Sequence, residues 1–290
     1  MVGANPVEAH PVVGARLLQR VLHGAKLVVA DPRAVGLALH ADVHLRPRPG
    51  TNVALFHGFA HVVLAEGLAD EEFLRERAVG LPELTELLAD YPPDRVADIT
   101  GVPAADLVAA ARLYGRARRP AILYGLGVTE HLHGTDGVRS LTNLAILRGA
   151  VGTDRGYGVN PLRGQNNVQG ASDMGALPDF LPGYGRVSDP AARSRAEAVY
   201  LELDPVDFLD VHPDDAARYD VRDGAQVTVE SRHGRACLIA RVGEQTALGQ
   251  VFCSFHFPAS GVNRLTSDHA DTVTSCPEYK VTAVRVASSS

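Results

Sequence analysis

The sequence predicts an α/β segment followed by a smaller β segment, and three observations carry that expectation. In the first part, short apolar runs such as residues 26–30 and 121–124 end in glycine, proline or aspartate turns and alternate with stretches of helical apolar period. From residue 199 onward apolar and polar side chains alternate instead, with Asp223-Gly224 and His233-Gly234 marking tight turns. Between the two lies the stretch 158–185, rich in glycine, proline and amides, with neither period.

Size and composition agree with two parts. A chain of 290 residues suffices for about two domains, each with its own core. Charged residues make up 21% and apolar ones 46%, a globular balance. Lys plus Arg number 28 against 34 Asp plus Glu, a net charge of -6, and no basic block occurs, which argues against nucleic acid as a partner. The sequence has no run of eighteen uninterrupted apolar residues and no cleavable leader pattern, so no membrane segment is expected and a soluble, cytoplasmic protein is. Cys237, Cys253 and Cys276 are odd in number and far too widely spaced for a Cys-x-x-Cys clip. They read as small apolar residues, and neither a disulfide framework nor a metal site follows from them.

The elements follow in order. After the turn Gly3-Ala4-Asn5-Pro6, a helix is expected from Pro11, with Val13, Leu17, Leu18 and Val21 on one face and Gly24 at its end. Residues 26–30 form a buried strand with Asp31-Pro32-Arg33 at its carboxyl end. This is Rossmann-like βαβ logic lacking a first strand, and in such sheets ligands lie outside the carboxyl ends of the strands. Asp31 is suited to accept hydrogen bonds from a ribose or guanine and Arg33 to meet a phosphate. The alternative is that Asp31 only caps the turn before Pro32, the commoner fate of an Asp-Pro pair. A second strand, 43–45, leads to Arg48-Pro49-Gly50-Thr51-Asn52, where Thr51 or Asn52 caps a helix with Val53, Phe56, Ala60, Val63 and Leu64 in helical period. Exposed amides there suit a guanine edge, or serve as an ordinary cap.

Residues 70–115 read as two or three amphipathic packing helices, with Leu107, Ala110, Ala111 and Tyr114 the clearest stripe. After the strand 121–124, Gly125-Leu-Gly127-Val-Thr129 lets backbone N–H groups approach a pyrophosphate, although the third glycine of a dinucleotide fingerprint is missing. His131 and His133 have no third ligand spaced to join them, which favours structural roles over metal binding. A helix over about 135–148 leads into the 158–185 stretch. That stretch has a binding loop's composition, against the alternative of a long surface turn: amides are dense and neither Lys nor Glu occurs between Arg163 and Gly185. Residues 188–198 are polar and suit a linker or an exposed helix. Strands are expected over 199–203, 226–231, 236–242 and 251–257, with a short helix over 213–219 led by Asp214 and Asp215, in a small closed or half-closed barrel.

The string Asn160-Pro-Leu-Arg163-Gly164-Gln165-Asn166-Asn167-Val-Gln169-Gly170-Ala-Ser-Asp173-Met-Gly175 closely resembles the active-site segment of molybdenum- or tungsten-dependent formate dehydrogenases. Gly3-Ala-Asn5-Pro, Val29-Ala-Asp31-Pro-Arg33, Arg48-Pro-Gly50-Thr-Asn52 and Gly125-Leu-Gly127-Val-Thr129 resemble that family's successive pterin and dinucleotide contacts. His212-Pro-Asp214, Phe255-His256-Phe257, Asn263-Arg-Leu265 and Pro277-Glu278-Tyr279-Lys280 resemble its carboxyl-terminal cofactor-binding barrel, a partial double-psi barrel here. The resemblance implies that Arg163 orients formate, that Gly164 and the amides around Gln165 line the pterin side, and that Asn263, Tyr279 and Lys280 contact the pterin.

It further implies a molybdopterin guanine dinucleotide with Mo or W, formate as substrate oxidised to CO2 with two electrons, and iron–sulfur or diaphorase subunits as redox partners. On this basis 1–187 is a partial molybdopterin oxidoreductase α/β domain, 188–198 a linker or deletion junction, and 199–290 a partial dinucleotide-binding β-barrel. The family's iron–sulfur cysteines, its relay lysine and its metal-ligating cysteine or selenocysteine have no counterpart in this sequence, and it names no metal ligand. The chain therefore resembles a truncated and internally deleted copy of the catalytic subunit. The alternative function is a non-catalytic cofactor-binding or subunit-interaction module. A partial barrel also implies an unpaired edge on Val227-Thr228-Val229, hence self-association.

Overall fold

The computed structural model describes residues 1–162, 180–181, 185–203, 206–254, 257–279 and 281–288. Contacts divide the chain into two compact units, Met1–Gly164 with Ser267–Val281, and Gln165–Thr266 with Thr282–Ser290.

The first unit is built on short parallel strands. β1 (Val28–Ala30) pairs in parallel with β2 (Val43–Leu45), and β3 (Ile122–Tyr124) with β4 (Val159–Pro161). Val2 joins the two pairs, bridging Ala30 on one side and Tyr124 on the other, both in parallel. The place of the strand that the βαβ logic lacks is thus taken by Met1–Gly3: Ala30 N donates to Met1 O at 2.9 Å, Val2 N to Leu123 O at 2.9 Å and Gly3 N to Ala30 O at 3.0 Å. The strand 159–161 corrects the reading of 158–185 as aperiodic throughout. Three residues ending in proline carry no alternation by which to recognise a strand.

Helices cover this sheet. Asn52–Ala65 lies at the centre of the core with Leu55, Phe56, Phe59, Ala60, Val62 and Val63 buried. It is apolar almost all round, so the single expected stripe underestimates its burial: Val53 and Leu64 are only partly covered, whereas Leu55 is fully buried. Gly58 is needed where it packs, since a Cβ there would come within 2.9 Å of Val96 Cγ2 and 3.0 Å of Leu107 Cδ2. Four helices rather than two or three fill the packing region: Glu71–Arg77, Leu81–Ala89, Pro93–Thr100 and Ala104–Arg116. Leu107, Ala110 and Ala111 are buried as the stripe predicts. Gly134–Leu147 follows, ending where Arg148 Nη2 donates to Ala117 O at 3.2 Å.

In the second unit, β5 (Phe180–Leu181) and β6 (Gly185–Arg186) form a small antiparallel pair. The helix Pro190–Leu203 takes in the polar segment for which a linker or helix was expected, and overturns the strand expected over 199–203. Ala191, Ala192, Ala196 and Ala198 interleaved with Arg and Glu make a strong helix former, and propagation of a nucleated helix outweighs a five-residue alternation. A five-stranded sheet follows in the order β10-β7-β9-β8-β11, built from β7 (Phe208–Val211), β8 (Gln226–Glu230), β9 (Arg235–Val242), β10 (Val251–Cys253) and β11 (Arg285–Ser288). β8 and β9 are the expected hairpin, turning at Ser231–Gly234, where Ser231 N donates to Gly234 O at 2.9 Å. Its core side carries Leu209, Val211, Val227, Val229, Ala236, Leu238 and Ala240, and the short helix Pro213–Arg218 adds Ala216.

The unpaired edge expected on Val227–Val229 is a further correction. β8 pairs with β9 on one side and β11 on the other, from Arg285↔Glu230 to Ser288↔Val227. The covering strand is exposed on most of its surface, so its apolar pattern is too weak to announce it.

Candidate functional site

The parallel strands of the first unit end together, and the candidate ligand residues gather at those carboxyl ends. Glycine at three positions lets two backbone segments touch. Gly125 N donates to Val2 O at 3.1 Å and Gly127 N to Gly3 O at 3.0 Å. A Cβ on Gly127 would lie 2.7 Å from Gly3 Cα, and one on Gly125 2.8 Å from Gly3 O, so no side chain fits at either position. Gly3 itself has a φ of 52°, in the left-handed region.

The carbonyl of Gly127 accepts from Asn52 Nδ2 at 3.0 Å and from His131 Nε2 at 2.8 Å, which assigns the ring proton to Nε2. Asn52 therefore ties the turn after β2 to the turn after β3, and buried His131 has the structural role expected of it. Thr51 occupies the N-cap position as expected, its carbonyl accepting from Leu55 N at 3.1 Å, but its Oγ1 donates to Arg48 O at 2.7 Å and makes no capping bond to the helix. Gly50, with φ of 86°, allows the turn there. Thr129 lies at the end of the short helical turn Leu126–Thr129, its carbonyl packed so closely on Gly134 that a Cβ at Gly134 would overlap it.

At the end of β1, Asp31 is buried, and its Oδ1 accepts from Arg33 N at 2.9 Å, the turn contact that the capping alternative predicts. Two residues not singled out by sequence reasoning join it. His44 Nε2 bonds to Asp31 O at 3.0 Å and Arg46 Nε donates to Pro32 O at 3.0 Å. Burial lowers the His44 pKa, the bond to the Asp31 carbonyl opposes this, and the Arg46 charge lowers it further. The signal for these two was available: in Val43-His44-Leu45-Arg46 the polar residues occupy the alternate positions of a strand that ends in the same place as β1.

Buried polar atoms at this edge include Arg46 Nη2 and Asn5 Oδ1, neither with a hydrogen-bond partner among the described residues. Asn5 precedes the short helix Pro6–Ala9. Of the remaining candidates, Asn263 is exposed in a 3₁₀ turn of the second unit (Val262–Arg264) and Tyr279 is partly exposed in the first. Arg163, Gly164, Gln165 and Lys280 lie outside the described residues, as do Phe255 and His256. Among the described residues no group of three His, Cys, Asp or Glu side chains is placed to hold a metal.

Residues 189–283 match the Molydopterin dinucleotide binding domain. Over 193 residues the chain is 47% identical to formate dehydrogenase H of Escherichia coli (strain K12). Two thirds of the chain is thus similar to a formate dehydrogenase. A second relative, the F420-dependent formate dehydrogenase subunit alpha of Methanocaldococcus jannaschii, is 44% identical over 189 residues. These matches take in 67% and 65% of this chain but only 27% and 28% of the relatives, so it spans little more than a quarter of their length. Among solved structures, acetylene hydratase from Pelobacter acetylenicus superposes with a TM-score of 0.47 and 32% identity, over 48% of this chain and 19% of that one.

A dinucleotide with a pyrophosphate fits the residues present. The buried Asn5 Oδ1 and Arg46 Nη2, without hydrogen-bond partners among the described residues, offer an acceptor and a donor near these strand ends.

Proposed function

We propose that this chain is the cofactor-binding part of a formate dehydrogenase-type molybdopterin oxidoreductase, which takes two electrons from formate to give CO2. The observation that carries the reading is the glycine junction at the carboxyl ends of the parallel strands, bound to Asn52 and flanked by Asp31. In this reading 1–187 is the Rossmann-like α/β domain, 188–198 the junction, and 199–290 a partial double-psi barrel. The chain is cytoplasmic in this reading; no helix among the described residues is long and apolar enough to cross a membrane. Molybdopterin guanine dinucleotide, carrying Mo or W, supplies the redox chemistry when bound.

The chain's own residues bind and orient. Asp31 accepts from the guanine or ribose, Arg33 and Arg46 meet phosphate or sugar oxygens, and the Gly125–Gly127 turn lies against the pyrophosphate. Asn5, Gly50, Asn52 and Thr129 shape the same pocket. Gly164, Gln165, Asn263, Tyr279 and Lys280 serve the pterin. Arg163 holds the formate carboxylate, since a planar guanidinium pairs both oxygens and stays charged. Iron–sulfur or diaphorase subunits would receive the electrons.

The reading is tested by melting the chain with and without a molybdopterin guanine dinucleotide preparation. The wild type is expected to melt at a higher temperature with the dinucleotide, by about 2.7 kcal/mol of added stability at a hundredfold excess over Kd. Asp31→Ala is expected to lose most of that rise while keeping its far-ultraviolet spectrum. An equal rise in the variant removes Asp31 from the site.

A second reading, a cofactor-binding module without turnover, is favoured by the cysteines: Cys237, Cys253 and Cys276 are too widely spaced for a Cys-x-x-Cys clip, and none matches the family's metal-ligating position. Formate-dependent dye reduction by the purified chain would discard this second reading.

A further inference from the structure

The segment Ser267–Val281 belongs by its contacts to the first unit, although it follows most of the β unit in sequence. It is a narrow loop closed on itself: Ala270 bridges Pro277 in antiparallel fashion, Glu278 N donates to His269 O at 3.0 Å, and Asp271 N donates to Cys276 O at 2.9 Å. One carboxylate holds it to the helix Gly134–Leu147. Asp271 is buried, and its Oδ2 accepts from Thr135 N at 3.1 Å. Its Oδ1 accepts from Thr135 Oγ1 at 2.8 Å, Val273 N at 3.1 Å, Thr274 N at 2.9 Å and Thr274 Oγ1 at 2.9 Å. Hydrogen bonds from Thr135 N and Thr274 N hold the Asp271 carboxyl far below the usual carboxylate range, against the effect of desolvation.

The same segment touches two of the turns assigned to the cofactor. Glu278 Oε1 accepts from Leu132 N at 3.2 Å, just beyond the Gly125–Thr129 turn. A Cβ on Gly50 would meet Val281 Cγ2 at 3.9 Å, which places the loop's far end beside the Gly50–Asn52 turn. Tyr279 lies between these two anchors, 45% exposed.

We infer that Asp271 and Glu278 are positioning residues for the dinucleotide: they pin Ser267–Val281 across the two turns and so hold Tyr279 at the site. Neither needs to touch the ligand. Asp271 fixes the base of the loop on the helix start, Glu278 fixes its outgoing strand on Leu132, and the residue next to Glu278 is the candidate pterin contact. The inference rests on the cofactor reading above, and its test separates the two.

Amide hydrogen exchange on the full chain without ligand gives the first readout. In Asp271→Ala the amides of Leu132, Thr135, Val273 and Thr274 are expected to exchange roughly tenfold faster or more, while those of Gln226–Glu230 and Arg235–Val242 keep their rates. Asp271→Asn, which keeps one carbonyl acceptor, should lie between. The second readout is the melting rise produced by the molybdopterin guanine dinucleotide preparation, expected to fall by half or more in Asp271→Ala and to recover in part in Asp271→Asn. A loop that exchanges faster with an undiminished melting rise overturns the inference and leaves the cofactor reading standing, and so does unchanged exchange. No rise in the wild type overturns the cofactor reading and the inference with it.

Discussion

Gly127→Ala is expected to destabilise the first unit more than any other conservative glycine substitution among the cofactor candidates. The added Cβ would stand 2.7 Å from Gly3 Cα and 2.8 Å from Gly3 O, and both are backbone atoms of a segment hydrogen-bonded into the sheet on two sides. No rotamer change relieves that contact. Overpacking against side chains costs roughly 1–3 kcal/mol, and a backbone clash belongs at or above the upper end. A loss of about 3 kcal/mol lowers Tm by roughly 6–12 °C in a unit of this size. Gly67→Ala is the control: a Cβ there meets nothing within 4 Å, and only the φ of 63° opposes it, at about 1 kcal/mol. Thermal melts of the two variants should differ clearly, and equal melting temperatures would mean that the Gly3–Gly127 contact is not tight. The dinucleotide-dependent rise should vanish in Gly127→Ala even below its melting point, because the two backbones can no longer approach.

Removing residues 285–290 should turn a well-behaved chain into an associating one. The loss uncovers β8 from Val227 to Glu230, whose alternate side chains are buried valines and whose outward N–H and C=O groups then have no partner strand. An exposed edge of this kind recruits other chains. The ion pair of Arg285 with Glu230, at 2.7 Å, is solvent-exposed and adds little, so the ladder itself is what covers the edge. Light scattering at about 50 µM, where uncovered edges associate, should show oligomers for the truncated chain and a single species for the full one. Ala287→Pro, which removes one ladder donor opposite Thr228, should act in the same direction. A truncated chain that stays a single species would show that β11 does not protect the sheet.

Some of this was legible in the sequence because the governing physics is local. Strands β1 and β3 are short apolar runs before turn residues, β2 alternates apolar and polar side chains, the β8–β9 hairpin announces itself by alternation around His233-Gly234, and the helix Gly134–Leu147 by its period. The glycines of the site were legible too, since Gly125 and Gly127 follow a strand where side chains are excluded. What those glycines meet was not. Gly3 and Gly127 are far apart in sequence, and only the parallel bridges of Val2 to Ala30 and Tyr124 bring their backbones into contact. In the same way Asn52 reads as a cap, and only the packed structure directs its amide to Gly127 O, 75 residues away.

Propensity, period and turn chemistry act over a few residues, so the sequence alone shows the order of an α/β part and a β part, the ends of the parallel strands, and the charged and amide residues that lie there. Tertiary structure alone decided that β11 covers β8, that the Asn52 amide reaches Gly127 O, and that Asp271 fastens Ser267–Val281 to a helix more than a hundred residues earlier. Those arrangements depend on hydrogen bonds between segments distant in the chain. The free energy of such bonds is set by which donors and acceptors burial leaves without water, and no local pattern records that.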